Sequence, residues 1–168
     1  LCLLPPFPDD AGYIQALAAR VKETEHGRRI DHRFVSFHGI PKRYADLGDP
    51  YPTHCRLTAE ALARTCGWKD DEWSLCFQSR FGREPWLQPY ADEHVPGLAK
   101  RYPHALVLTP GFVADCLETI EEIGIRLVED FRAAGGEALH VVPCLNAHQT
   151  WIDALESLIR RSCEADLV

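Results

Sequence analysis

Four short apolar runs, each followed by polar residues and then by an amphipathic stretch, limit the fold more than any other feature of this sequence. Strands are predicted near Arg33 to His38, Ser74 to Gln78, Ala105 to Thr109 and Glu137 to Val142. Helices are predicted around them. The first is capped by Asp9 or Asp10, turns Ile14, Leu17, Ala18 and Val21 inward, and closes at Gly27. The second follows Tyr51-Pro52-Thr53 with Cys55, Leu57, Thr58, Ala61 and Leu62 inward. Others run from Tyr90 to Arg101, interrupted by Pro96-Gly97, from Asp115 to Ala134 before Gly135-Gly136, and from Ala147 to Arg161. Strands alternating with helices imply right-handed crossovers and a parallel sheet covered on both faces. The expected fold is therefore α/β, a doubly wound four-stranded parallel sheet in three Rossmann-type layers. Residues 1–168 are expected to form one domain, with 1–8 as an extended lead-in.

A parallel sheet delivers the carboxyl end of every strand to one edge, which is where open α/β sheets bind ligands. Four polar groups should meet there: His38, Gln78-Ser79-Arg80, Thr109 and Asn146. His38 ends the run Phe34-Val35-Ser36-Phe37-His38-Gly39-Ile40-Pro41, in which Gly39 and Pro41 force the chain out of the sheet. Two roles fit it: a structural histidine bonded to backbone, or a ligand or base.

The stretch from Asp115 to Glu122 carries two carboxylates, Glu118 and Glu122, one turn apart. Like charges at that spacing repel, and a bound cation or a basic neighbour would relieve them. Oxygen donors with a nearby imidazole suit ferrous iron or another divalent first-row metal. Two plainer roles compete. Asp115 and Glu118 have the spacing of a capping box, and Glu122 can pair with Arg126 across one turn. An apolar stripe of Leu117, Ile120, Leu127, Val128 and Phe131 should pack that helix on the sheet. In the loop after the second strand, Arg80 or Arg83 could meet a carboxylate and Trp86 could lie against a flat apolar ligand, or Trp86 could simply anchor the loop.

Composition removes several classes. A net charge of −7 without a basic patch argues against nucleic acid as a partner. The longest apolar stretches, Ala105 to Leu108 and Ala138 to Val142, fall far short of the roughly 20 residues needed to span a bilayer. Seven cysteines, odd in number, scattered and never spaced Cys-x-x-Cys, suit reduced apolar residues better than a disulfide framework or a zinc site. Gly-x-Gly-x-x-Gly, a Walker loop and Gly-x-Ser-x-Gly do not occur, which weakens nucleotide and serine-hydrolase readings. The chain opens on Leu1, contains no methionine, and lacks the charged start of a signal peptide, so a fragment or processed piece is expected.

Taken together, Ser36-Phe37-His38-Gly39-Ile40-Pro41, Gly48-Asp49-Pro50-Tyr51, Phe77 to Gly82 with Trp86-Leu87, Pro110-Gly111-Phe112, and Asp115 to Glu122 resemble the ferrochelatase family, five segments in family order. The resemblance spans nearly the whole chain but corresponds to the carboxyl-terminal half of the usual protein. It implies a chelatase-like fold and insertion of ferrous iron, the metal substrate, into protoporphyrin IX to give protohaem. By matching motifs, His38 would be the active-site histidine and Glu118 its acidic partner, with Glu122 as a further metal ligand. Trp86 would contact the porphyrin, and Arg80 and Arg83 would be candidates for its propionates. Arg126 stands where some relatives continue a row of acids, so that row is not expected beyond Glu122. No iron-sulfur cluster is expected, because a lone Cys163 stands near the end. The implied partners are porphyrin and the missing amino-terminal half, without which turnover should be poor. The implied location is the cytoplasm, with loose attachment to a membrane. The alternatives are a chelatase acting on coproporphyrin or another tetrapyrrole, and a domain that binds metal or porphyrin without turnover.

Overall fold

The computed structural model describes residues 3–165, which contain all four expected strands: β1 (His32–His38), β2 (Trp73–Gln78), β3 (His104–Leu108) and β4 (Ala138–Val141). They form one parallel sheet in the order β2-β1-β3-β4. In register, His38 lies opposite Gln78, Val35 opposite Leu108, and Val107 opposite Val141. Each central strand is buried on both faces, so alternate residues feed separate cores. Val35 and Phe37 join Leu106 and Leu108 against α1 (Ala11–Glu25), α3 (Tyr51–Cys66) and α6 (Gln149–Ala165). Phe34 and Cys76 join Ala105, Val107 and Leu139 on the other face, under α4 (Ala91–Gly97) and α5 (Val128–Ala133).

Local chemistry explains the boundaries. Asp10 caps α1, its carboxylate accepting from the backbone N–H groups of Gly12 (3.0 Å) and Tyr13 (3.1 Å). Gly67 ends α3 at φ 72°, where a side chain would be strained. α4 ends at Gly97, earlier than the expected Arg101, because Pro96 lacks the N–H a longer helix needs. A short α2 (Lys42–Asp46) in the loop after β1 has too few residues to show a periodicity.

The segment expected as one α-helix from Asp115 to Ala134 differs most. Glu118–Leu127 is a π-helix, which passes into α5 at Val128. Its wider turn buries Thr119, Ile123 and Leu127, and α5 buries Phe131, a spacing of four throughout. The expected stripe is corrected accordingly: Leu117 is 74% exposed and Ile120 57% exposed, and neither packs on the sheet. Among the described residues no helix is long and apolar enough to cross a membrane. Cys55, Cys66, Cys76, Cys116, Cys144 and Cys163 are free thiols; Cys2 lies outside the described residues.

Candidate active site

The strand order reverses direction between β1 and β3. β1 leads into α3 on one face, whereas β3 leads into the π-helix on the other, so the loops leaving these adjacent strands part and open a crevice. His38 ends β1 at this carboxyl edge and is half-buried. Its Nδ1 lies 2.6 Å from the carbonyl oxygen of Gly39, which can only accept, so Nδ1 carries a proton and donates it there. The Tyr51 hydroxyl donates to the His38 carbonyl at 2.8 Å and fixes the backbone beneath the ring. The backbone-bonded role expected for a structural histidine is thus present, and it leaves Nε2 free for chemistry.

Two aromatic rings flank the imidazole, Trp86 at 6.3 Å and Phe112 at 6.2 Å between centroids. Trp86 comes from the loop after β2, laced to the loop after β1 by hydrogen bonds from Lys42 N–H to the Pro85 carbonyl (2.8 Å) and from Leu87 N–H to the Ile40 carbonyl (3.0 Å). Gly39 permits that packing. A Cβ there would stand 3.1 Å from Trp86 Cε3 and 3.2 Å from the Gln78 carbonyl oxygen. Phe112, part of the resemblance but given no role in the sequence reading, is the site residue that reading missed. Its signal was position, two residues past Pro110 at the end of β3.

Glu118 opens the π-helix. A hydrogen bond from the Cys116 thiol, then one from its own backbone N–H, holds its carboxyl below the ordinary range against the opposing effect of burial, and the field of His38 adds to the lowering. Glu118 is therefore an anion, at the same edge of the sheet as His38. It makes no capping box with Asp115. The Asp115 N–H instead donates to Asn146 Oδ1 at 2.9 Å, and the Cys116 N–H to Thr119 Oγ1 at 2.9 Å.

Glu122 is engaged elsewhere. Ser79, at φ 63° in the turn leaving β2, donates to the two carboxylate oxygens of Glu122 from its N–H (2.8 Å) and its hydroxyl (2.5 Å). Arg126 pairs with Glu121 at 2.5 Å, not with Glu122, because the π-helix shifts which side chains share a face. Among the described residues no group of three His, Cys, Asp or Glu side chains converges to hold one metal ion. Arg80 also has partners, Asp92 (2.9 Å) and Glu93 (2.8 Å), and stacks over Tyr90 at 4.2 Å. Arg83 is exposed on the same loop and lines an open hollow with Trp86 and Tyr90.

The fold is a three-layer α/β fold of the chelatase type. A solved structure of SirB from Bacillus subtilis with Fe3+ superimposes with a TM-score of 0.68 over 96% of this chain and 57% of that one, at 16% sequence identity, which speaks to fold alone. The ferrochelatase family model matches residues 2–163. Ferrochelatase 1 of Shewanella oneidensis is 48% identical over 156 residues, covering 91% of this chain and 46% of that protein. The ferrochelatase of Pectobacterium atrosepticum is 49% identical over 156 residues (91% and 48%), and that of Acinetobacter baumannii 45% identical over 168 residues (98% and 49%). The chain belongs to the ferrochelatase family. It spans about half the length of the curated relatives it matches.

Proposed function

We propose that this chain is the carboxyl-terminal, metal-handling half of an enzyme that inserts ferrous iron into protoporphyrin IX to form protohaem in the cytoplasm. The observation that supports the reading best is that, at the carboxyl edge of the sheet, His38 donates from Nδ1 to the Gly39 carbonyl and keeps Nε2 uncommitted, while Glu118 at the start of the π-helix is held ionised. Metal insertion needs both. Iron must shed water for protein oxygen or nitrogen, and two pyrrole nitrogens must lose protons.

The division of labour follows from the two environments. A carboxylate whose pKa is pressed down is a weak base but a persistent anion, suited to holding a cation. Imidazole Nε2 is the better proton acceptor near neutral pH. Glu118 therefore guides iron, and His38 takes protons from the macrocycle. Trp86 and Phe112, each close to His38, supply apolar surface for the porphyrin. Arg83 is better placed than Arg80 for a propionate, since Arg80 is already paired with two carboxylates.

The test compares this chain alone with this chain joined to the amino-terminal half of the Shewanella oneidensis relative, following anaerobic iron insertion by loss of porphyrin fluorescence. The joined protein is expected to metallate protoporphyrin IX faster than coproporphyrin. The chain alone should fold but turn over at least about 100-fold more slowly, because an opposing wall is needed to position the macrocycle. Full activity from the chain alone, or none from the joined protein, overturns the reading.

A further inference from the structure

The first turn of the π-helix poses a mechanical problem. It carries Glu118, and although Thr119 is buried, Leu117 and Ile120 on either side are largely exposed, so burial anchors it on one side only. A helix start also leaves backbone N–H groups without intrahelical partners. Besides local bonds between Cys116 and Thr119, it takes polar contacts from a distant part of the chain, the turn after β4.

Asn146 in that turn has φ 46°, a left-handed conformation that asparagine tolerates better than most residues. Its backbone N–H donates to the Val113 carbonyl at 2.8 Å. Its side-chain amide grips one residue in both directions. The Asp115 N–H donates to Asn146 Oδ1 (2.9 Å), and Asn146 Nδ2 donates to Asp115 Oδ2 (2.6 Å). The other carboxylate oxygen, Asp115 Oδ1, accepts from the Cys144 N–H and from Thr119 Oγ1, both at 3.4 Å. Thr119 Oγ1 in turn accepts from the Cys116 N–H at 2.9 Å. Asp115, Cys116 and Thr119 bracket Glu118, so the exit of β4 sets where that carboxylate begins.

We propose that Asn146 is a positioning residue of the metal site, a two-way clamp on Asp115 that holds the start of the π-helix, and with it Glu118, at the sheet edge that carries His38. This rests on the roles proposed above for His38 and Glu118. Asn146 touches no reacting atom and acts through Asp115. Burial alone would raise the Asp115 carboxyl, and the hydrogen bond from Asn146, followed by those from Cys144 and Thr119, outweighs it and holds the carboxyl below the ordinary range. The clamp is thus charge-assisted.

Three variants separate clamping from folding. Asn146→Gly keeps the left-handed backbone and removes the amide. Asn146→Asp sets a carboxylate against that of Asp115. Asp115→Asn combined with Asn146→Asp exchanges amide and carboxylate and restores complementarity. The primary readout is kcat and KM in the joined protein, and the second is the backbone amide chemical shifts of Cys116 to Thr119 in this chain at one fixed pH. Asn146→Gly and Asn146→Asp are expected to move those amide shifts and to lower kcat by about tenfold to 100-fold, with porphyrin KM changed less than about twofold. The exchanged pair should recover most of both. Unchanged amide shifts in both single variants, or no recovery in a folded exchanged pair, overturns the proposal. Should the unsubstituted joined protein fail to insert iron, the function assigned above fails, while the amide shifts still decide whether Asn146 positions the start of the π-helix.

Discussion

The two edges of the sheet are built from the same side chains and differ in what they leave open. At the amino edge β1 contributes His32 and β2 contributes Ser74; at the carboxyl edge the same strands lead to His38 and Ser79. His32 is 4% exposed, lies stacked on Tyr102 at 4.4 Å, and shares Ser74 with His94, each imidazole Nε2 being 3.0 Å from the hydroxyl. Burial presses its pKa down to about 4. Nothing can reach it. His38 is half-buried, has one hydrogen bond from Nδ1, and stands close to two aromatic rings with an anion at the same edge. An imidazole buried away from any approach is a strut, whereas one left half-exposed at the edge is a reagent.

The sharpest way to break this contrast is to truncate each histidine. His38→Ala in the joined protein should lower kcat for iron insertion by at least about 100-fold, the usual worth of a general base, while the melting temperature moves little. His32→Ala should do the reverse. It leaves Ser74 and His94 short of a partner and opens a void beside Tyr102, so a stability loss of about 2–4 kcal/mol is expected with kcat per folded molecule unchanged. Loss of kcat from His32→Ala in a fully folded protein would erase the distinction.

Acid should strain the amino edge next. The folded-state pKa of His32 lies below its ordinary 6.5, so the unfolded chain takes up the proton first. The stabilising contribution is complete above about pH 6.5 and drains away as pH falls toward 4, by on the order of 2–3 kcal/mol for a shift of this size. Burial lowers His94 too, in the same direction. Urea midpoints at pH 7.5 and pH 5 should therefore diverge, and His32→Gln should bring them closer. Equal divergence in that variant would place the acid sensitivity elsewhere.

Much of this arrangement was legible in the residues, for reasons that also explain the errors. Strand runs as apolar as Phe34-Val35 or Leu106-Val107 have no stable home except a sheet buried on both faces, and parallel connections then force His38, Ser79 and Asn146 to one edge. Element ends depended on local punctuation such as Asp10, Pro96 and Gly135, so they fell within a few residues of expectation. The π-helix was invisible because a period near four reads as a slightly irregular α-helix. That small change turned Leu117 and Ile120 outward and passed Arg126 from Glu122 to Glu121. The engagement of Glu122 by Ser79, 43 residues away, and of Asp115 by Asn146 left no trace in local pattern.

The smallest expected effect concerns Ser79 and asks whether the carboxyl edge also contains a strut. Ser79→Ala removes the hydroxyl bond to Glu122 and keeps the backbone one, so a cost of about 1–2 kcal/mol is expected for a partly exposed bond to a charged acceptor. Ser79→Gly loses the same bond but relieves a left-handed backbone, worth about 1 kcal/mol, and should come out nearly neutral. The order of urea midpoints, parent and glycine together above alanine, tests that sum. The iron KM of the joined protein decides what the bond is for. If Glu122 braces the π-helix against β2, either substitution leaves iron KM within about twofold; if Ser79 withholds a carboxylate that would otherwise bind iron, releasing it lowers iron KM. The first result makes Glu122 the carboxyl-edge counterpart of His32, and the second extends the reactive edge one turn beyond Glu118.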